Sequence, residues 1–293
     1  GTLTTQQIPV VPASVIKAIA TETLSGLTTA QVLSLTTEQV RSLTVGQLSA
    51  LSTSQFAALE TADVASLTTA QVTAFSTEQL SGMTTAQVPA IVTGLLGALS
   101  TAQIRSLTTD HMVSLTTAQV ANLTTAQLPA LKTDQIAALE TQDLVNLSVS
   151  QIKTLTTAQA RALTTEQAAA IVASQVPALS SVQLGVMEVA DFKALNSAAI
   201  RALNTQQIAA LTTAHIANLE SGQVYALGSA QVAAIEVTDI VKLSVSNMGV
   251  LRGVQTPGLT TDQIAAMTGA QIGAINANAV AGLSAAQITA FTP

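Results

Sequence analysis

The chain repeats an eight-residue unit whose register does not slip over most of its length. LTTAQVLS at 27–34, LTTEQVRS at 35–42 and LTVGQLSA at 43–50 show the unit, whose positions we number 1 to 8. Position 1 recurs in 33 octads from Leu27 to Leu283, is Leu in 25 of them and is apolar in the other eight. A domain with loops would not keep such a phase, so each octad must make the same turn of backbone. The repeat predicts a single continuous solenoid domain over residues 1–293.

Two polar positions of the octad form a helix-start motif. Position 2 is mostly Thr, Ser, Glu or Asn, and position 5 is Gln in 23 of the 33 octads. In a Thr-x-x-Gln capping box, the hydroxyl accepts a backbone N–H one turn on, and the Gln side chain reaches back. Position 6 and the next position 1, such as Val40 and Leu43, share one helix face. Each octad is therefore predicted to be one helix of about five to six residues and a tight bend.

Helices this short have no stability of their own, so they must stack on their neighbours. Small residues at positions 4 and 8 would let adjacent turns approach closely, while the Leu and Val columns make one long, thin core. We predict an all-α, superhelical solenoid with one very short helix per octad. A β-solenoid is the alternative, but the unit lacks period-2 alternation and has few turn glycines. One feature conflicts with the helix, because proline at position 7 removes a hydrogen bond: Pro89, Pro129 and Pro177.

Composition limits the classes of function. Charged residues make up 9% of the chain, against roughly 25% in a typical soluble domain. The ten Lys and Arg residues are scattered singly, whereas nucleic-acid binding needs clustered positive charge. No window offers 18 apolar residues, so no membrane span is predicted, and no signal peptide is visible at the start. The absence of Cys fits a secreted protein without disulfides.

Four octads carry Asp at position 5 together with Glu at position 2. Carboxylates three apart repel one another on a helix, and calcium favours clustered carboxylate oxygens, so calcium binding is one interpretation. The other is that these octads descend from one duplicated variant in which Glu and Asp cap the helix. The calcium candidates are Glu60, Asp63, Glu140, Asp143, Glu188, Asp191, Glu236 and Asp239.

The remaining polar residues give little to catalysis. The Gln column is interpreted as capping and inter-turn hydrogen bonding that satisfies backbone groups, rather than as a row facing a ligand. His111 and His215 replace Gln at position 5 and are interpreted as doing the same work, with a metal or catalytic role as the alternative. No Ser-His-Asp arrangement, Gly-rich phosphate loop or HExxH motif is present. We therefore predict that the protein is not an enzyme and carries no cofactor, calcium excepted.

The run LTTAQVLSLTTEQV at 27–40 resembles the Leu-Thr-Thr-x-Gln octapeptide-repeat tracts of large bacterial secreted or surface proteins, often described as adhesin-like. The resemblance covers essentially the whole chain. It implies a secreted or cell-surface location and a structural role, as a rigid stalk of an adhesin or as a subunit of a surface filament. The octad also resembles the first helix of TAL effector repeats, but those repeats are much longer and carry base-reading loops that have no counterpart here, so no DNA-binding function is transferred.

The ends of a solenoid expose stacking surfaces that need polar caps to stay soluble. Val10 and Val11 near one end, and Ala290 and Phe291 near the other, are not strongly polar. Head-to-tail self-association is therefore predicted. The alternative function is a binding module that uses the solenoid surface for a glycan, a peptide or calcium. Position 7 is the most variable and is predicted to face solvent or a partner, as at Arg41, Lys153 and Tyr225.

Overall fold

The computed structural model describes residues 3–291. In that range the chain forms 31 α-helices of four to six residues and four 3₁₀ helices, and it forms no β-strand. This confirms the all-α solenoid and, for these residues, excludes the β-solenoid. The contacts group into two compact units, Gly1–Asn146 and Leu147–Pro293. That the repeat tract is a single domain stays a prediction.

The first unit contains a 3₁₀ helix at Ile8–Val10 and another at Leu128–Ala130. Its α-helices are α1 Ala13–Ala18, α2 Thr21–Ser25, α3 Thr29–Leu33, α4 Thr37–Ser42, α5 Val45–Ser49, α6 Thr53–Ala57, α7 Thr61–Ser66, α8 Thr69–Val72, α9 Thr77–Ser81, α10 Thr93–Leu96, α11 Thr101–Ser106, α12 Thr109–Ser114, α13 Thr117–Ala121, α14 Thr133–Ala137 and α15 Thr141–Val145.

The second unit contains 3₁₀ helices at Val176–Ala178 and Thr256–Gly258. None of the helices between residues 3 and 291 has the length and apolar character needed to cross a bilayer. The α-helices of this unit are α16 Val149–Thr154, α17 Thr157–Arg161, α18 Thr165–Ala170, α19 Ser181–Gly185, α20 Val189–Ala194, α21 Ser197–Ala202, α22 Thr205–Ala209, α23 Thr213–Ala217, α24 Ser221–Ala226, α25 Ser229–Ala233, α26 Val237–Ile240, α27 Val245–Gly249, α28 Thr261–Ala266, α29 Gly269–Ala274, α30 Ala277–Val280 and α31 Ala285–Thr289.

The predicted capping box starts most of these helices at position 2. In α4 the Gln39 N–H donates to the Thr36 hydroxyl at 3.3 Å, and the Thr36 N–H donates to Gln39 Oε1 at 2.8 Å. The helix ends at Ser42, and the next residue, Leu43, has a φ of −56° and a ψ of 138° that turn the chain out of the helix. Thr44 is also extended, and α5 follows at once. Two extended residues therefore make the bend between α4 and α5, and no residue between 3 and 291 has a positive φ.

Each unit coils with three octads, or 24 residues, per turn. In the first unit α1 packs on α4 and α4 packs on α7, and in the second α21 packs on α24 and α24 on α27. The hydrogen bonds keep the same register, since Gln39 Nε2 donates to the Val11 carbonyl 28 residues earlier, at position 1 of the third octad before it. Successive turns are thus joined by side-chain amides as well as by apolar packing.

The core consists of two apolar columns. Position 6 is almost fully buried, as at Val40 with 0% exposure, and position 1 is nearly so, as at Leu43 with 4%. Position 1 of one turn packs against position 6 of the turn before it, as the Phe75 ring does against the Phe56 ring, with the ring centroids 4.6 Å apart.

The small residues at position 8 allow the turns to approach, as predicted, but those at position 4 do not. A Cβ placed on Gly258 or Gly282, both at position 8, would overlap backbone atoms of the preceding turn. At position 4, a Cβ on Gly46 or Gly94 would meet nothing within 4 Å. Position 4 points outward from the first turn of the helix, so the expectation of close packing there is wrong.

Proline at position 7 is accommodated by shortening the helix. Pro129 and Pro177 lie inside 3₁₀ helices, and the octad of Pro89 contains only turns. A 3₁₀ helix does not need the missing N–H, because position 8 bonds back to position 5, as from the Ala130 N–H to the Gln127 carbonyl at 3.0 Å. Pro9 and Pro257 have the same effect on their octads.

A pair of glycine substitutions tests the close approach of the turns. We expect Gly258→Ala to destabilise the protein by about 1–3 kcal/mol, because the new methyl group meets the Ser229 carbonyl of the preceding turn. Gly46→Ala is the matched control in open space inside α5, where it should stabilise by about 0.5–1 kcal/mol. Denaturant unfolding followed by circular dichroism measures both changes, and equal effects would contradict the packing described.

Candidate functional site

The Gln side chain at position 5 is buried and joins two turns of the solenoid. Gln119, with 1% exposure, accepts the Thr116 N–H on Oε1 at 2.9 Å. Its Nε2 donates to the carbonyls of Ile91 at 2.7 Å and Val88 at 3.1 Å, at the end of the turns of the Pro89 octad one solenoid turn earlier. One primary amide thus satisfies the start of its own helix and the end of another octad. The other Gln side chains at position 5 of the 33 octads are buried as well, except Gln31, which is half-buried and lines a cavity, and this burial favours the structural interpretation.

The two histidines at position 5 take the place of Gln. His111 Nε2 contacts the Met83 carbonyl at 2.8 Å, and the Thr108 N–H donates to Nδ1 at 3.3 Å. Because a carbonyl can only accept, these partners assign the proton to Nε2. His215 makes the same contacts with Met187 and Thr212 and also stacks on Phe192, with ring centroids 4.8 Å apart. Both rings are buried and used as inter-turn links.

Aspartate at position 5 reverses the direction of the inter-turn hydrogen bond. Asp63 Oδ1 accepts the hydroxyl of Thr37, 26 residues earlier, at 2.8 Å, and Oδ2 accepts the Glu60 N–H at 3.0 Å. Asp191 and Asp239 accept the equivalent threonine hydroxyls, each at 2.6 Å. An ionised carboxylate cannot donate to the carbonyl that Gln reaches elsewhere. The threonine at position 3 of the preceding turn is a partner that the sequence did not reveal, because Thr is common there whether or not Asp follows.

Asp143 differs from the other three aspartates. It is 1% exposed, and neither of its carboxylate oxygens has a hydrogen-bond partner in the part of the chain that the structure describes. Burial raises the pKa of Asp143. The Thr117 hydroxyl and the Glu140 backbone N–H favour the charged form and offset part of this, although neither closes a bond of normal geometry, while the Glu140 charge adds to the rise of the pKa.

The four Glu and Asp pairs are not brought together into one metal centre. In each pair the Asp is buried and the Glu at position 2 is exposed. Between residues 3 and 291 no group of three or more His, Cys, Asp or Glu side chains could hold a metal ion. Calcium at any one pair would need carbonyls and water as its other ligands, and it stays a prediction. Of the four, Glu188 also pairs with Arg161 on the surface, at 2.8 Å.

The ring of Tyr225 lies on the surface. Tyr225, the only tyrosine, lies at position 7 and is half-exposed, with the Arg252 guanidinium 4.5 Å from the centroid of its ring. These two residues, Asn276 and Asn278 line an open cavity of about 480 Å³. Sequence reasoning placed Tyr225 on the variable outer column but could not find Arg252, which belongs to the next turn.

The comparisons with known proteins identify the repeat. A family model of the ALTTAQ repeat matches residues 56–93, 88–125, 112–141, 136–173 and 184–221. These matches together cover more than half of the 293 residues, and their starting points differ by multiples of eight residues. No match was found among the curated proteins.

Replacing one amide of the column measures its contribution. We expect Gln119→Met, which keeps the length of the side chain, to destabilise the protein by about 1–3 kcal/mol, because the Ile91 carbonyl and the Thr116 N–H lose their partners. Gln142→Met, at an exposed position 4, is the control and should change stability by less than about 0.5 kcal/mol. Denaturant midpoints compare the two, and a small effect at Gln119 would contradict the structural role of the column.

Proposed function

The chain belongs to the ALTTAQ repeat family, and from that premise we propose that it is an extracellular structural repeat protein, either a rigid stalk of an adhesin or a subunit of a surface filament. The observation that carries this proposal is the burial of the amide column. The most regular polar side chain of the octad, as at Gln119, is buried and forms hydrogen bonds between turns, so it does not face a substrate. Repeating the octad therefore lengthens the solenoid and does not repeat a binding site.

A mechanical role is supported by the hydrogen bonds and apolar contacts that join each turn to the next. Gln127 illustrates the pattern, since its Nε2 donates to the Leu99 carbonyl at 2.7 Å and to the Leu96 carbonyl at 3.1 Å, while Oε1 accepts the Thr124 N–H. Separating the turns at this point would break these inter-turn bonds and expose the apolar columns together. A stalk must resist such separation along its whole length.

Self-association is supported by apolar side chains that stay exposed on the two columns that elsewhere join the turns. Leu3 at position 1 is 38% exposed beside an apolar cavity of about 300 Å³, and Val280 and Ile288 at position 6 are 42% and 46% exposed. Between turns, position 1 packs on position 6 of the preceding turn, as Phe75 does on Phe56. An exposed position 1 row of one copy therefore fits on an exposed position 6 row of another, and repetition of this contact builds an open filament.

The extracellular location is supported by the resemblance to surface-protein tracts and by the absence of Cys, which leaves the fold independent of the redox compartment. Antibody labelling of intact cells that produce the native protein tests it. Labelling that requires permeabilised cells would overturn the location without touching the structural role.

Assembly is tested with a pair of matched variants. We expect the chain to form oligomers that grow with concentration in sedimentation velocity, and narrow rods in negative-stain electron microscopy. Val280→Glu buries a charge in the stacked row and should weaken association by at least about tenfold, which corresponds to about 1.4 kcal/mol. Val149→Glu, at a comparable 51% exposure outside that row, should leave association unchanged. A strictly monomeric profile would contradict head-to-tail assembly, and compact globular particles would contradict the structural role.

A binding module is the second candidate, favoured by the surface around Tyr225. Sugars stack on exposed aromatic rings, and Arg252 and Asn278 supply donors beside this ring, so the fitting ligand is a glycan. We expect Tyr225→Ala to reduce binding to a glycan array of neutral and uronate-containing oligosaccharides by about tenfold or more. Val149→Ala, on a different part of the surface, is the control. The absence of binding by the unaltered protein would remove this candidate.

A further inference from the structure

Asp143 leaves a gap in the hydrogen bonding between turns. The equivalent Gln in most octads donates to the position 1 carbonyl 28 residues earlier, which for Asp143 is the carbonyl of Leu115. An ionised carboxylate offers no donor there, and both oxygens of Asp143 lack hydrogen-bond partners in the described residues. A buried charge without partners is costly, and a proton on the carboxyl relieves the cost.

Asn247 shows what a protonated aspartate would do at this position. Its side chain has the same size as a neutral Asp, with one acceptor and one donor group. Asn247 Nδ2 donates to the Leu219 carbonyl, 28 residues earlier, at 2.7 Å, and Oδ1 accepts the Ser221 hydroxyl at 3.0 Å. A side chain of this length therefore reaches the position 1 carbonyl and the position 3 hydroxyl at once. The residues that correspond to these two around Asp143 are Leu115 and Thr117.

We propose that Asp143 is a proton-binding position of the solenoid, where the protonated carboxyl donates to the Leu115 carbonyl and accepts the Thr117 hydroxyl, so that acid strengthens the link between these turns. In this step the carboxyl takes one proton from solvent. Asp63 does not share this behaviour, because each of its oxygens already accepts a hydrogen bond as a carboxylate.

The charged groups around Asp143 are few. Glu140, at the start of the same helix, carries a charge that raises the pKa of Asp143, and α13, which packs against α15, carries no titratable side chain. On the adjoining helix α12, His111 is bonded to the Met83 carbonyl of an earlier turn and Asp110 is exposed. Asp134 in α14 and Lys132, the N-cap residue of α14, are exposed as well.

The direction of the pH effect follows from the raised pKa. Because the folded state holds the proton of Asp143 more tightly than the unfolded chain, whose carboxyl titrates near the ordinary value of 3.8, ionisation of Asp143 disfavours folding. This penalty is fully present above the folded-state pKa. It is relieved as the pH falls through that pKa towards 3.8.

The test compares thermal unfolding of the unaltered chain and Asp143→Asn between pH 7 and pH 3. Asn supplies the donor at every pH, so we expect it to raise the unfolding midpoint by about 2–4 °C at pH 7 and the difference to shrink to near zero at pH 3. Asp110→Asn makes the same chemical change at an exposed position 4 and should show no such pH-dependent difference. Asp63→Asn removes a carboxylate that is already bonded and should not raise the midpoint at pH 7.

Four outcomes overturn the proposal. A lower midpoint for Asp143→Asn at pH 7 would mean that the carboxylate is favourable there. A difference that does not change with pH would mean that protonation plays no part. Stabilisation of the unaltered chain by millimolar calcium at pH 7, lost in Asp143→Asn, would show that a cation and not a proton fills the gap. A rise that also appears in Asp63→Asn would assign the effect to the general removal of charge.

Discussion

The structure depends on satisfying the polar ends of helices that are only about one turn long. A helix of this length has almost no internal hydrogen bonds, so nearly all its N–H and C=O groups need outside partners. The primary amide at position 5 supplies them in both directions. Gln39 accepts from Thr36 and donates to Val11 and to Ile8 one turn earlier. Where position 5 is Ala199, the Asn196 amide at position 2 donates to the Ile171 carbonyl of the preceding turn instead. With no such donor, the helix ends would be buried unsatisfied or the turns would have to separate to admit water.

The apolar columns and the amide column require each other. Leu43 at position 1 and Leu48 at position 6 are buried only because adjacent turns lie close together. That distance is limited by position 8, where Gly258 leaves no room for a Cβ against Ser229. At the same separation between turns, a Gln side chain reaches from the start of its own helix to the carbonyls of the preceding turn. The eight-residue period therefore satisfies the apolar packing and the hydrogen bonding between turns at the same time.

Much of this was predictable from the octad. The capping box, the short helix and the two buried columns follow from Thr-x-x-Gln and from the three-residue spacing of Val40 and Leu43. The three octads per turn were not predictable, because they depend on the backbone angles of positions 1 and 2, which sequence spacing does not encode. Position 4 was misjudged, since small residues there, such as Gly46, indicate tolerance and not close packing. The burial of Asp143 depends on that same register, so the sequence could show its unusual pairing with Glu140 but not its lack of partners.

The residues that replace Gln at position 5 separate its two hydrogen bonds, one accepted from the start of its own helix and one donated to the preceding turn. His111 makes both, because an imidazole has a donor and an acceptor on opposite sides of the ring. Asn247 keeps the inter-turn donor, and its acceptor turns to Ser221. Asp63 still accepts the backbone N–H at the start of its own helix, but it has no donor for the preceding turn and instead accepts the hydroxyl of Thr37. Asp143 has neither contact in normal geometry. Because each turn is held mainly by its neighbours, stability in such an array is local, and we expect adjacent turns to separate first at the octads with weaker replacements.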